Sequence, residues 1–280
     1  MAFRRSFLIG LVYDNPNPQH TVSHLQGLLE ALQGSGFEVV VRPVDRSAPN
    51  FLSDMRQFVE RQKLFGMVMP SSVSEDERLA ELLTELECRY VRIASVPLDK
   101  PDRMVVTHDG EGAAEAARHL ADLGHKRIAL ITGPTSFRSS RERRAGFEAG
   151  LAERGLILDP ALVKLGAYTY ESGVAAAREL FELQDRPTAI MALNDEMAAG
   201  VYLSARQMGV RIPEDVSVVG FDDAPIASRL WPTMTTVRLP LHDMGRLAGE
   251  MLAPNPAREK SPSHDLRPQL VVRDSSGSAG

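Results

Sequence analysis

Polar residues that directly follow buried apolar strands are the ones in this chain best placed to do chemistry. Between Arg186 and Pro240 the apolar run Thr188–Leu193 ends at Asn194–Asp195, and the run Val216–Phe221 ends at Asp222–Asp223. A helix-forming segment, Glu196–Met208, separates them and is stopped by Gly209 and Pro213. In open parallel sheets ligands bind just beyond the carboxyl ends of the strands, so Asn194 and Asp222 stand where a small molecule would sit. Asn194 and Asp195 also both suit the N-cap of the following helix, whose free amides need acceptors. We assign the structural role to Asp195 and ligand contact to Asn194. Two adjacent carboxylates exceed what one cap requires. Asp222 is the candidate acceptor for a ligand's hydroxyls, against the alternative of a plain surface turn.

Catalysis and cofactor chemistry find no comparable support. The sequence holds no GxSxG, HExxH, CxxC or Walker loop, and the chain reads as a binding protein, not an enzyme. GEGAAE, from Gly110 to Glu115, lacks the third glycine of a dinucleotide fingerprint, so no cofactor is expected. His20 and His24 have the spacing of two metal ligands on a helix, but no third ligand lies nearby in sequence, and no metal is expected. A single cysteine, Cys88, excludes an internal disulfide and fits a reducing cytoplasm. A net charge of −5 gives no electrostatic footprint for nucleic acid. The apolar run Phe7–Tyr13 follows two arginines but is too short for a signal peptide and reads as a first strand. No stretch approaches the ~20 apolar residues of a membrane span.

The elements that must position these residues alternate along the whole chain. Strands are expected at 7–13, 37–41, 66–69, 90–93, 104–106, 127–132, 189–193, 216–219 and 269–272. Helices are expected at 21–33, 54–62, 75–86, 112–123, 142–154, 174–183, 196–208 and 242–252. This alternation implies βαβ units and parallel sheets covered on both faces, and the number of units suits two lobes. Pro254–His264 is polar and proline-rich and reads as an exposed loop.

Several long motifs occur in order: DGEGAAEAARHLADLGHKRIALITGP (Asp109–Pro134), SSRERRAGF (Ser139–Phe147), ALNDEMAAGV, GVRIPEDVSVVGFDDAP, TMTTVR and PQLVVRDSS (Pro268–Ser276). With them the chain, from Ile9 to Ser276, resembles the effector-binding core of the lactose/galactose-repressor family of bacterial transcription regulators. The resemblance implies an α/β fold of two doubly wound parallel-sheet lobes joined by three crossovers, of the periplasmic-binding-protein-like type I. It places an N-terminal lobe at 7–121 plus 240–264 and a C-terminal lobe at 122–239 plus 265–276. Residues 277–280 are read as a flexible tail.

The same resemblance implies a site in an interlobe cleft. Arg143 matches the arginine that faces the ligand there, and its planar fork of donors suits vicinal hydroxyls. Arg141 and Arg144 are expected to face solvent or acids. Tyr168 matches an aromatic that stacks on the ligand, with a place in the core as the alternative. Asp109 matches an acidic residue at the lobe junction, where it contacts ligand or only caps a helix. The loop Asp14–His20 matches the first cleft loop, and Asn15 and His20 are its candidate contacts. Leu239 and Leu241 would add apolar surface beside the cleft. Together with Asn194 and Asp222 these residues point to a small effector, a sugar or sugar derivative, and substituting Arg143 or Asp222 by alanine is expected to abolish binding with the fold intact. The implied assembly is a homodimer, with Trp231 at the interface. Operator DNA would be bound only through a headpiece that this chain lacks. The alternative is a periplasmic-type sugar receptor of a transporter.

Overall fold

The computed structural model describes residues 6–14, 17–70, 73–253 and 266–280. In chain order the first elements are β1 (Leu8–Tyr13), α1 (Pro18–Leu32), β2 (Glu38–Pro43), α2 (Phe51–Gln62), β3 (Gly66–Pro70), α3 (Glu77–Glu85), β4 (Arg89–Ala94) and β5 (Met104–Val106). They are followed by α4 (Asp109–Asp122), β6 (Ile128–Thr132), α5 (Arg138–Ala152), β7 (Val163–Leu165), α6 (Tyr170–Phe181), β8 (Ala189–Ala192), α7 (Asp195–Met208), β9 (Ser217–Asp222) and β10 (Thr235–Arg238). The last are α8 (Leu241–Leu252) and β11 (Gln269–Val271).

Two compact units result, one of Met1–Thr107 with Pro240–Leu266 and one of His108–Leu239 with Arg267–Gly280. The first holds a parallel sheet of order β2-β1-β3-β4-β5. The second holds a sheet of order β11-β10-β9-β8-β6-β7. It is parallel except at one edge, where β11 runs antiparallel to β10. Strands β3, β8 and β9 are buried along their whole length, which is why their sequences are continuous apolar runs and not alternating ones. Two strands lie outside the sequence reading. β7 has only three residues, and β10 starts with two buried threonines, so neither shows an apolar run. The loop read at Pro254–His264 lies outside the described residues.

The first unit boundary falls at Thr107–His108, not at 121 as expected from sequence. The cause is the packing of α4. A Cβ at Gly146 would collide with the backbone of Gly110, and one at Gly150 with the backbone of Ala114, so α4 and α5 touch main chain to main chain. The terminal residues also depart from expectation. Gly277 N–H donates to Ser217 Oγ at 3.0 Å, His125 Nε2 lies 3.0 Å from the Gly277 carbonyl, and Ala279 N–H donates to the Leu123 carbonyl at 2.9 Å. Residues 277–279 are thus held by backbone groups, an anchorage that glycine and serine composition cannot reveal.

Backbone-to-backbone contact recurs in the other helix pairs. Gly27 and Gly245 leave no room for a Cβ between α1 and α8, nor do Gly173 and Gly200 between α6 and α7. Small-to-large changes in such packed seams force main-chain shifts and cost about 1–3 kcal/mol or more. Gly146→Ala is therefore expected to lower the unfolding free energy by at least that amount. Gly155→Ala has open space but a φ of +71°, so only backbone strain, about 1 kcal/mol, should appear there. Urea unfolding of the two variants checks the difference.

Candidate functional site

Arg143 is the centre of the second unit's polar cluster. It sits in the second turn of α5, is buried, and spends each arm of its guanidinium on a different element. Nε donates to Asp109 Oδ2 at 2.7 Å, at the start of α4. Nη1 donates to the Leu193 carbonyl at 2.6 Å, just after β8. Nη2 lies 3.5 Å from Asp222 Oδ1, at the end of β9. The flat face of the group lies 3.9 Å from the ring centroid of Phe221, a cation–π contact. Burial disfavours the guanidinium charge, but Asp109 and Asp222 outweigh it and raise its pKa.

The remaining candidates of this unit lie on the same strand ends. Asn194 caps α7: its Oδ1 accepts from Met197 N–H at 2.9 Å, and its Nδ2 donates to the Tyr168 carbonyl at 2.9 Å. The helix cap is thus Asn194, and Asp195 holds a structural role of another kind. Asp195 is fully buried and acts as a latch, accepting from Thr236 Oγ1 and from Ala224 N–H, each at 2.6 Å. Burial, followed by the neighbouring Asp222 charge, pushes its carboxyl well above the usual carboxylate range. Asp223 accepts from Arg238 and Arg273, both at 2.6 Å, whereas the approach of Arg143 Nη2 to Asp222 Oδ1 is longer, at 3.5 Å. Arg144 pairs with Glu148 on the surface, and Arg141 donates to the Thr135 carbonyl.

Tyr168 is buried, with its ring on Gly133, where a Cβ would overlap it, and edge-on to Phe137 at 5.7 Å. Its hydroxyl lies near Ser139 and Ser140 but closes no well-formed hydrogen bond. Backbone strain concentrates here. His108, Tyr168, Asp222 and Asp223 all have positive φ, which side chains other than glycine adopt at a cost of order 1–3 kcal/mol. Such strain persists where surrounding structure holds it and is typical of functional sites.

Asp222 has one more property. Its Oδ1 is buried and makes no aligned hydrogen bond, because Arg143 is turned toward Asp109 and Leu193. Burial raises the Asp222 carboxyl to about 7; Arg143 opposes the shift, and Asp109 and Glu196 add to it.

In the first unit, His20 is buried on α1 with its ring 4.8 Å from that of His24. Asn17 caps α1 by accepting from Gln19 N–H at 3.0 Å. Asn15 lies outside the described residues. Leu239 and Leu241 are buried. The Phe221 ring and the Leu193 carbonyl were not singled out in sequence; a backbone acceptor has no sequence signal, and Phe221 looks like any core residue.

Residues 117–276 match the model of the periplasmic binding protein-like domain. The chain is 30% identical over 280 residues to the HTH-type transcriptional regulator DegA of Bacillus subtilis, covering 97% of this chain and 81% of that protein. It is 33% identical over 262 residues to the HTH-type transcriptional regulator CelR of Thermobifida fusca, covering 89% and 74%. A solved complex of CelR with cellobiose superposes with a TM-score of 0.83 at 29% identity, over 98% of this chain and 85% of that one. A LacI-family regulator from Burkhoderia phymatum gives 0.85 at 26% identity, over 97% and 100%. Fold and domain match define a periplasmic-binding-protein-like effector module. The chain belongs to the LacI family of transcriptional regulators, the lactose/galactose-repressor family that its motifs resemble.

Two outcomes follow from the charge cluster. Removing Arg143 leaves Asp109 buried without its cation, so Arg143→Ala is expected to cost about 3–5 kcal/mol of stability, contrary to an intact fold. Chemical denaturation measures it. For Asp222, the folded pKa of about 7 lies above the ordinary 3.8, so between those values the folded form keeps a proton that the unfolded form has lost. The resulting destabilisation is absent below pH 3.8, grows through that window and is complete above 7. Asp222→Asn should therefore stabilise the ligand-free protein increasingly from pH 4 to pH 7 and evenly beyond. At about 1.4 kcal/mol per unit the plateau is of order 2–4 kcal/mol. A pH-independent difference in melting temperature would contradict it.

Proposed function

We propose that this chain is the sensing core of a cytoplasmic transcriptional regulator and binds a small neutral carbohydrate at the carboxyl ends of the second unit's strands. The observation that carries the reading is the Asp222 carboxyl group, buried and strained, whose Oδ1 has Arg143 Nη2 at 3.5 Å but no aligned hydrogen bond. A carboxylate in that state accepts sugar hydroxyls, and a hydrogen bond to a buried charge contributes about 1.5–3 kcal/mol. Tyr168 offers a ring and a hydroxyl beside it, and Asn194 has a second amide hydrogen for a ligand oxygen. The cluster contains two acids to one arginine, which disfavours an anionic ligand at this point. That CelR, a relative, is seen with cellobiose supports the class of ligand.

Calorimetry against neutral mono- and disaccharides, with cellobiose and ribose included, is expected to find a binder whose affinity falls at least about ten-fold in Asp222→Asn. Binding of purines or amino acids only would overturn the carbohydrate assignment.

We further propose a homodimer. Trp231 is 88% exposed and Val272 58%, and Thr233 Oγ1 donates to Asp274 at 2.6 Å, tying the Trp231 loop to the residues after β11. Exposed aromatics of this kind are typical interface anchors. The purified chain should show twice its monomer mass by light scattering, and Trp231 emission should shift red on dilution. A strictly monomeric mass at micromolar concentration would refute the dimer.

A further inference from the structure

A carboxyl group is withdrawn wholly from water only where its partners offset the loss. Asp195 is 0% exposed, the most deeply buried acid among the described residues. It opens α7, where the helix dipole favours an acid. An exposed acid would serve the dipole as well, and Asn194 already caps the helix, so α7 does not account for the burial.

The partners of Asp195 account for it. Its Oδ2 accepts from the Ala224 N–H at 2.6 Å. Its Oδ1 accepts from Thr236 Oγ1 at 2.6 Å, and that oxygen in turn accepts from the Asp223 N–H at 3.4 Å. The two peptide N–H groups that follow Asp222 thus both lead to one carboxyl group, the second directly and the first through a hydroxyl. Strand β9 is built to admit it. A Cβ on Gly220 would stand 2.2 Å from Asp195 Oδ1, and Gly220 has no positive φ, so glycine serves space here and not conformation.

The held amides belong to a strained turn. Asp222 has a φ of +107° and Asp223 a φ of +54°. The two peptide planes flank Asp223, and the first begins at Asp222, so fixing them fixes the direction in which the Asp222 side chain leaves the strand. Without partners for these amides the residues return to ordinary backbone, and the Asp222 carboxyl group moves with them.

We propose that Asp195 and Thr236 are positioning residues for the effector: they set its affinity without touching it, by holding the Asp222 carboxyl group in place through the amides of Asp223 and Ala224. This rests on the reading of Asp222 as the acceptor for ligand hydroxyls and deepens it. A released turn that holds the productive geometry about a tenth of the time lowers affinity about ten-fold.

The test is calorimetry on the full chain with the same neutral saccharides, at a temperature where each variant is folded. Asp195→Ala and Thr236→Val break the clamp and are expected to weaken binding at least about ten-fold. Asp195→Asn and Thr236→Ser should rescue it to within a few-fold of wild type. The asparagine oxygen accepts from the Ala224 N–H while its nitrogen donates to Thr236 Oγ1, and serine keeps the hydroxyl. Should Asp195→Ala fail to fold, Thr236→Val against Thr236→Ser carries the comparison, since valine fills the space of threonine. Unchanged affinity in Thr236→Val, with binding lost in Asp222→Asn, would overturn the clamp and leave the carbohydrate reading standing. Equal losses in Thr236→Val and Thr236→Ser would also overturn it, because they would show a loss of packing and not of the link. If no saccharide binds wild type, the carbohydrate reading fails, and titration of the Asp222 carboxyl carbon by NMR decides without ligand. Burial holds that group at about 7, and a released side chain regains water. A midpoint in Thr236→Val at least about one pH unit below that of wild type and of Thr236→Ser would support the clamp. A smaller difference would overturn it.

Discussion

Burying Arg143 is the constraint on which the second unit depends. Withdrawing a guanidinium from water costs several kcal/mol even after relaxation, and only good geometry with further hydrogen bonds offsets it. The fold supplies that geometry from four places: Asp109 opens α4, Leu193 directly follows β8, Phe221 is the next-to-last residue of β9, and Asp222 closes it. Each of these positions is a strand end or helix start on the carboxyl side of the sheet. One arginine therefore fixes the relative register of α4, α5, β8 and β9. Because Asp109 claims the best of its donors, Asp222 is left buried with no aligned hydrogen bond to its Oδ1, the feature on which the proposed recognition role rests.

That arrangement is held by close packing at its edges. The α4–α5 seam, where Gly146 and Gly150 admit no side chain, sets the distance between Asp109 and Arg143. The α6–α7 seam at Gly173 and Gly200 likewise fixes Tyr168 against the cap residue Asn194. Asp195 holds the turn after β9 from beneath through Ala224 and β10 through Thr236. Strained backbone at Tyr168, Asp222 and Asp223 is tolerated because these contacts leave no alternative. Preorganisation of this kind suits a sensor, since a ligand finds its partners already oriented.

Much of this was legible in the sequence, for physical reasons. Long helices announce themselves by period, so α1 and α7 differ from expectation by only a few residues at either end. The fully buried strands β3, β8 and β9 read as continuous apolar runs. Polar strand ends named Asn194 and Asp222, the motif resemblance named Asp109, Arg143 and Tyr168, and the structure places all five in one unit. What escaped was information carried by tertiary contact. β10 hides because Thr235 and Thr236 are buried polar residues satisfied by Ser275 and Asp195. Which of Asn194 and Asp195 caps the helix stayed open because both side chains can cap, and only the three-dimensional neighbours of Asp195 show that it is needed elsewhere. The seat of residues 277–279 consists mostly of backbone bonds, and the unpartnered Oδ1 of Asp222 is visible only once burial is known.

The central claim is that Asp222 is the acceptor kept for ligand hydroxyls, and proton exchange on binding tests it most directly. With its carboxyl raised to about 7, Asp222 is partly protonated at neutral pH in the free protein. Hydroxyls donated to the ionised form favour it and lower its pKa. Calorimetry of the best-binding saccharide at pH 7, in buffers of different ionisation enthalpy, should therefore show release of a fraction of a proton, with affinity rising from pH 6 to pH 8. Neither effect should survive in Asp222→Asn. Binding without proton exchange and with pH-independent affinity, or proton uptake on binding, would contradict it.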